Sequence, residues 1–211
     1  MLGIRVSVPV ACFRKGMARE YLETEILPPP STCYGFLLSL VGETDRRAHI
    51  GARVTAGLLN QPDLSVVLRT VWRVKSKLLG SSGNTRPDYQ QLLSNIQLTM
   101  WIDSSEESGA SLENRIRDVV VHRRYSGIRR FGGLSLGEST HLVDEVSPFS
   151  PNEGLTSRTF LLDDKGKMTL PVWVDHVGSS GTSFAVGNIT ALSVVPDSRQ
   201  LPRIAPVLPS S

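Results

Sequence analysis

The segment TEILPPPSTCYGFLLSLVGE, from Thr24 to Glu43, decides the fold of this 211-residue chain. Its prolines, Pro28 to Pro30, hold the backbone extended and cannot donate backbone hydrogen bonds. Ser31 or Thr32 is therefore expected to cap a helix that follows. Four apolar side chains of that helix share one stripe at helical spacing: Tyr34, Leu37, Leu38 and Val41.

Two glycines of this segment are informative, one about the end of the helix and the other about its role. Gly42 is the predicted stop, because glycine is common just after a helix end. Gly35 removes a side chain from the first turn, where another backbone or a ligand could come close. The local chemistry favours ordinary helix packing and leaves a site at this corner open as the alternative.

Composition limits the class of protein. The chain is long enough for one large domain, or one domain with a substantial appendage. A net charge of +3 is modest, but a pI near 9.1 and clustered arginines suggest an anionic partner. Cys12 and Cys33 form no CxxC or zinc pattern, so a reducing cytoplasm is expected. Arg5 interrupts the N-terminal apolar run, and neither secretion nor a membrane partner is expected.

Alternating apolar residues predict strands on both sides of the helix, at residues 4–12, 50–58, 64–75 and 96–102. In the third of these, one face is expected to pack and the other to be cationic. The packing face comprises Leu64, Val66, Leu68, Thr70, Trp72 and Val74, and the cationic face Arg69, Arg73 and Lys75. The order favours a ferredoxin-like or RNA-recognition-motif sheet, although a second helix is not obvious before residue 103.

The second half of the chain predicts a helix and a shorter β-rich part. Ser111 could cap a helix whose apolar face carries Leu112, Ile116, Val119 and Val120. Strands are expected at residues 158–162 and 169–176, joined by a turn at 163–166. Prolines at 196, 202, 206 and 209 predict an extended tail. The predicted class is α+β, in three parts: 1–108, 109–195 and 196–211.

The strongest charge pattern is HRRYSGIRRFGG, from His122 to Gly133. Guanidinium groups bind phosphate in a fork geometry, aromatic faces stack on bases, and glycines let a backbone approach a sugar-phosphate chain. Together with the basic row from Arg69 to Lys77, this pattern favours binding of single-stranded nucleic acid. The alternative is a solvated basic turn at a helix end.

Enzyme signatures are weaker. The GSSGNT segment lacks the ending of a phosphate-binding P-loop, and GGLSLG lacks the dinucleotide-binding spacing. The histidines are scattered, so no metal and no cofactor is expected. A metal-independent ribonuclease needs only an acid, a base and a cation, so Tyr34, His122 and a nearby lysine or arginine remain candidates.

Three segments together resemble one family. FRKGMAREYLETEILPPPSTCYGFLLSLVGE, beginning at Phe13, closely resembles the N-terminal part of the CRISPR-associated Cas-five family. RPDYQQLLSNIQLTMWID, beginning at Arg86, and GGLSLGESTHLVDEV, beginning at Gly132, are similar to later elements of that family. Its members are RAMP-type subunits of the type I Cascade surveillance complex. Residues from Val177 onward add little to the resemblance.

The resemblance implies a modified RNA-recognition-motif domain with a β-hairpin thumb, here at residues 75–89, and a variable C-terminal part. It also implies a subunit that holds the 5′ handle of crRNA, touches the first backbone subunit and helps seat the large subunit that inspects target DNA. The predicted RNA-binding residues are Arg14, Lys15, Arg19, Tyr34, Gly35, Arg69, Arg73, Lys75, Lys77, Arg86, Arg123, Arg124, Arg129 and Arg130.

No catalytic residue is expected. One branch of the family processes crRNA with tyrosine, histidine and lysine, and this chain does not reproduce that motif, because Arg123 follows His122. A processing endoribonuclease remains the alternative. A third hypothesis is a protein scaffold whose basic rows contact acidic proteins.

Overall fold

The computed structural model describes residues 1–16, 21–72, 78, 84–151, 154–175 and 180–207. Within these ranges the fold is mixed α/β, with a mainly antiparallel sheet and two α-helices. The helices are α1 (Pro30–Leu40) and α2 (Leu112–Val120), and a short 3₁₀ helix covers Ser198–Gln200. The strands are β1 (Leu2–Ala11), β2 (Phe13–Arg14), β3 (Tyr21–Leu22), β4 (Thr24–Glu25), β5 (Arg53–Leu58), β6 (Asp63–Trp72), β7 (Thr85–Asp103), β8 (Glu145–Pro148), β9 (Ser157–Leu162), β10 (Met168–Trp173) and β11 (Ser183–Leu192).

Strand β7 is the centre of the sheet. Its C-terminal half lies between β1 and β5, with Met100 opposite Ile4 on one side and Ala56 on the other. Strand β8 pairs with the outer edge of β1, and the order across this region is β5-β7-β1-β8. Beyond β5 the sheet continues through β9, β11 and β10. The alternating apolar residues of β1 and β7 therefore form one face of the core.

Both helices cover the sheet. Helix α1 packs on β5 and β10, and α2 packs on β1, β7 and β8. The side chain of Ser111 accepts a hydrogen bond from the backbone N–H of Asn114 at 3.1 Å, which confirms the predicted cap of α2. The cap predicted for α1 is wrong. That helix begins at Pro30 after Pro29 without a side-chain cap, because a proline at the first turn has no free N–H to satisfy.

The N-terminal half of β7 pairs with β6 as a long hairpin, from Asp63 opposite Ser94 to Trp72 opposite Thr85. The predicted packing face of β6 is exposed, so this prediction is wrong. Leu64 is 59%, Val66 51% and Leu68 64% exposed. Alternation indicates which side chains share a face, but no other element of the described chain covers this one. Residues 75–77 and 79–83 of the predicted thumb at 75–89, which include the first four residues of the GSSGNT loop, lie outside the described residues.

Asn95 marks where β7 leaves the hairpin and enters the core. Its φ of 54° lies in the left-handed region, which asparagine tolerates better than most residues. The β6 pairing ends at Ser94, and the β5 pairing begins at Leu98. This position therefore separates the part of β7 that pairs with β6 from the part that pairs with β5.

Part of the C-terminal segment that the prolines predict as an extended tail is packed on the core. Leu201 and Ile204 are fully buried, at 0% exposure. Backbone hydrogen bonds join Ile204 to Ala52 at 2.7 Å and Gly51 to Ile204 at 2.9 Å. Proline spacing indicates absence of regular structure, but two apolar side chains suffice to hold the segment on the core. No helix in the described part of the chain is long and apolar enough to span a membrane.

Candidate nucleic-acid interface

A groove runs along the outer face of α1. It consists of two adjoining cavities of about 450 and 530 Å³, which share Gly35, Leu38 and Ser39. The first cavity ends at Trp173 and Arg46, and the second at Arg129, Arg130 and Phe131. The helix that follows the triproline corner therefore forms the floor of a surface site, as well as part of the core.

Gly35 leaves the floor of the groove open. It is an exposed position on a helix whose neighbours Tyr34 and Phe36 are buried. A Cβ added at Gly35 would meet no atom within 4 Å. Glycine in a helix costs roughly 1 kcal/mol relative to alanine, and no packing contact requires it here. The open position thus agrees with the prediction that a ligand can approach α1 at this glycine.

One end of the groove is formed by a cation over an aromatic ring. The guanidinium carbon of Arg46 lies 3.8 Å from the centroid of the Trp173 ring, and its Nη2 donates to the carbonyl of Val174 at 2.8 Å. Trp173 is only 6% exposed, so Arg46 covers it. Because a stacked guanidinium has two faces, the second remains available to a planar ligand.

Tyr34 supports this end from below. The side chain is 3% exposed, and its hydroxyl donates to the backbone carbonyl of Arg46 at 2.9 Å. Burial raises the pKa of Tyr34 to about 12. A phenol that is neutral and engaged as a donor positions the Arg46 loop and is poorly suited to act as a general base.

The other end of the groove is cationic and aromatic. Arg129 and Arg130 are exposed, and Phe131 is fully exposed at 102%. An aromatic ring held in water between arginines and glycines has the features of a base-stacking platform. The left-handed φ values of Gly127 (87°) and Gly132 (73°) bend the chain on either side of this tip.

A glycine-containing segment joins the groove to the β6–β7 hairpin. Ser135 and Gly137 line the first cavity. The next residue, Glu138, accepts from the Gln90 side chain at 2.7 Å and lies 3.4 Å from Arg69. Arg69 also donates to Gln90. The predicted RNA-binding residue Arg69 of β6 is thereby tied to the segment that borders the groove.

His141 anchors the same segment. Its Nδ1 accepts hydrogen bonds from the backbone N–H groups of Cys12 at 3.3 Å and Glu138 at 3.2 Å. Burial lowers the pKa of His141, so the ring is held neutral with its proton on Nε2. Gly137 has a φ of 94°, and a Cβ there would lie 2.8 Å from the carbonyl oxygen of Cys12. Only glycine fits this close approach.

The other predicted residues are distributed around this groove. Arg14 is exposed on β2, and Lys15 lies 3.9 Å from Glu23. Arg123 and Arg124 are exposed after α2 and do not line the groove; Arg124 pairs with Asp118 at 3.0 Å. Arg19, Arg73, Lys75 and Lys77 lie outside the described residues, and for Arg86 only the strand position, opposite Val71, is described.

The sequence reasoning missed Arg46 and Trp173. Arg46 follows α1 in an acidic-basic turn, and Trp173 belongs to a strand that looked like ordinary β structure. No pattern connects two residues so far apart along the chain. The available signal was the arginine pair Arg46-Arg47, which follows α1, the helix within the segment that resembles the Cas-five family.

Comparison with known proteins gives one strong sequence relative. The CRISPR-associated protein Cas5 of Myxococcus xanthus (strain DK1622) is 51% identical in an alignment of 211 positions that spans 97% of this chain and 97% of the relative. No protein-family model matches the chain.

Solved structures show the fold. A chain of a CRISPR RNA-guided surveillance complex matches with a TM-score of 0.60 at 12% identity, over 90% of this chain and 88% of that one. A structure described as a Cas protein matches with a TM-score of 0.49 at 16% identity, over 94% and 96% of the two chains. The first of these carries the fold assignment.

Proposed function

This chain belongs to the Cas5 family of CRISPR-associated proteins, and from that premise we propose that it is a non-catalytic, crRNA-binding subunit of a type I Cascade effector complex. Its role is to hold the 5′ handle of the crRNA and to help seat the backbone and large subunits for RNA-guided recognition of target DNA. It acts in the cytoplasm.

One observation carries the proposal: the open groove along α1 has guanidinium groups at both ends. Arg46 lies at one end, and Arg129 and Arg130 lie at the other. Single-stranded RNA is bound by such combinations, because arginines neutralise phosphates and rings or guanidinium planes stack on exposed bases. The predicted Gly35 and the predicted arginine pair line the same surface, although they are far apart in sequence.

The fold supports a modified ferredoxin-like or RNA-recognition-motif domain. The elements β1, α1, β5, β7, α2 and β8 follow one another, and their strands lie in the order β8-β1-β7-β5. This order is typical of a split βαβ motif and supports the proposal, in which the thumb at residues 75–89 extends the β6–β7 hairpin and β9 to β11 are the C-terminal addition.

A binding role without catalysis is supported by the state of the candidate groups. The Tyr34 hydroxyl is already a donor to Arg46, and its raised pKa opposes ionisation. His122 is exposed in the arginine segment. Tyr34 therefore lacks the environment that activates a general base near neutral pH.

The exposed face of β6 is the proposed contact for a neighbouring subunit. Leu64, Val66 and Leu68 lie beside Tyr89, which is 57% exposed and sits opposite Leu68. Such a continuous apolar row on a free hairpin is typical of a protein interface. We expect Leu68→Asp to weaken assembly of the complex while leaving RNA binding by the purified chain intact; Ser65→Asp, on the polar face of β6, is the matched control.

The test of the function uses purified full-length chain and a fluorescent RNA that carries the repeat-derived 5′ end of the crRNA. The chain should bind this RNA and leave it intact in EDTA. Arg130→Glu should weaken binding at least tenfold, while Arg199→Glu, an exposed arginine on the 3₁₀ helix, should not. Cleavage in EDTA that is abolished by Tyr34→Phe or His122→Ala would establish the processing endoribonuclease instead. Absence of RNA crosslinks would favour the protein scaffold.

A further inference from the structure

The Trp173 end of the groove has the size and chemistry of a nucleobase pocket. Its volume of about 450 Å³ is within the range of small-ligand sites. Its wall carries the Arg46 guanidinium plane backed by the Trp173 ring, and its floor is the exposed backbone at Gly35. An unstacked base needs a flat surface to stack on and a space with no side chain, and this pocket offers both.

Polar groups at the rim are free to meet the edge of a base. Ser31, Thr32 and Ser39 line the pocket, and their side chains make no hydrogen bond within the described part of the chain. A hydroxyl both donates and accepts, so these groups can serve any of the polar edges of a base. Their position on the exposed side of α1 separates them from the core, which is formed by Cys33, Leu37 and Leu40.

The second cavity extends the same path. Gly35 and Ser39 are one helical turn apart on α1, about 6 Å along its axis, and both border the two cavities. A strand that places one base over Gly35 therefore brings its adjoining backbone towards Arg129 and Arg130. The charges of these arginines match phosphate, whereas the Trp173 end has a single cation.

We propose that the Trp173 end of the groove holds one unstacked nucleobase of the bound RNA, stacked on the outer face of the Arg46 guanidinium, and that Gly35 is required because a side chain would fill the place of that base. This inference rests on the proposed RNA-binding function. It adds a single-nucleotide subsite, with Arg46 as the stacking group and Tyr34 as the residue that positions it.

The experiment compares protein variants with RNAs that lack one base at a time. Synthetic RNAs of the repeat-derived 5′ end, each with one abasic nucleotide, are titrated with the full-length chain. With the native chain, one abasic position should weaken binding about tenfold, as expected for loss of one stacked base. Gly35→Leu should weaken binding of the intact RNA by a similar factor. In this variant, the abasic nucleotide at the sensitive position should cause no further loss of affinity. Gly109→Leu, where a Cβ is 4.0 Å from its nearest neighbour and lies outside the groove, is the control.

A second pair of variants tests the stacking surface. Arg46→Lys keeps the charge but loses the guanidinium plane. In this variant, the abasic nucleotide at the sensitive position should cause a smaller loss of RNA affinity. Arg47→Lys, one residue further along and exposed, should behave as the native chain. Thermal unfolding of each variant verifies that the fold is retained.

The outcomes separate the subsite from the function. The subsite is overturned if every abasic position weakens RNA binding equally. It is also overturned if one position weakens binding more than the others and Gly35→Leu does not remove this difference. Either result leaves the proposed function standing. Failure of the native chain to bind the intact RNA, both alone and assembled in its complex, overturns the proposed function and the subsite with it.

Discussion

The side chain of Asn60 is hydrogen-bonded to the backbone of Asn95, where the β6–β7 hairpin ends. The Nδ2 of Asn60 donates to the carbonyl oxygen of Asn95 at 2.6 Å. The Oδ1 of the same side chain accepts from the backbone N–H of Gln97 at 3.0 Å. One amide side chain thus satisfies the carbonyl of a residue with left-handed φ and the N–H group two residues later, at the position where the β6 pairing of β7 ends.

Loss of the two Asn60 hydrogen bonds should lower the stability of the protein by a measurable amount. Asn60→Ala removes both hydrogen bonds and is expected to lower the free energy of unfolding by about 1 to 3 kcal/mol. Urea denaturation provides the measurement. Gln61→Ala is the neighbouring control, because within the described part of the chain the Gln61 side chain bonds only to Arg158, at an exposed site. Equal effects of the two substitutions would contradict a special role for Asn60.

Gly35→Ala should stabilise the isolated protein. The added methyl meets no atom within 4 Å, and alanine is favoured over glycine in a helix by about 0.5 to 1 kcal/mol. Thermal unfolding should show a higher midpoint. Gly57→Ala makes the opposite case, because its Cβ would collide with the Thr159 side chain. A Gly35→Ala variant that is less stable than the native chain would show that the helix needs this glycine for its own packing.

The C-terminal segment should contribute to stability. Ile204→Ala removes a fully buried side chain and is expected to cost about 2 to 5 kcal/mol. Val207→Ala, three residues later and 47% exposed, should cost little. Guanidinium denaturation of both variants separates the two cases. A neutral Ile204→Ala would mean that this segment is only loosely attached.

Stability should fall in mildly acidic solution because of His141. Its folded-state pKa is lowered from 6.5 by burial, so the unfolded chain binds more protons than the folded one below that value. The contribution of His141 is complete above pH 6.5 and decreases as the pH falls towards the folded-state pKa. Denaturation between about pH 7.5 and 5 should show this decline in the native chain.

His141→Asn supplies an oxygen near the position of Nδ1 that can accept from Cys12 and Glu138 and does not titrate. The decline should therefore be smaller in this variant. His122→Asn, at an exposed position, should retain the native pH dependence. An unchanged profile in His141→Asn would assign the decline to other groups.

Salt dependence should identify the arginines that contact phosphate. Arg129→Ala and Arg130→Ala should each reduce the slope of log binding constant against log salt by about 0.7. Arg117→Ala, which removes a cation paired with Glu113 on α2, should leave the slope unchanged. Native slopes in both groove variants would assign Arg129 and Arg130 to protein contacts or to folding.

Local patterns were sufficient for the elements whose neighbours are close in sequence. The Ser111 cap and the apolar face of α2 depend on residues within one helix, and both were predicted correctly. The stop at Gly42 was also predicted, and its φ of 69° explains the choice of glycine. In each case the free energy that decides the structure comes from contacts within a few residues.

Errors arose where distant segments decide the outcome. The apolar side of β6 looks like a packing face, but whether it is covered depends on elements elsewhere in the chain. The proline spacing of the C-terminal residues predicts an extended tail, yet Leu201 and Ile204 are buried and this segment packs beside β5. The groove is the same kind of case, because Arg46 and Trp173 meet only after the C-terminal strands join the sheet.

The position of β1 has a consequence for synthesis of the protein. Leu2 pairs with Ile102 and Ile4 with Pro148, so this first strand finds neither neighbour until most of the chain has been made. At translation rates of about 5 to 20 residues per second, a strand rich in valine and isoleucine waits for several seconds with both edges unpaired. The first strand therefore joins the sheet only after β7 has been made, and its apolar edges are open to contacts with other chains until then.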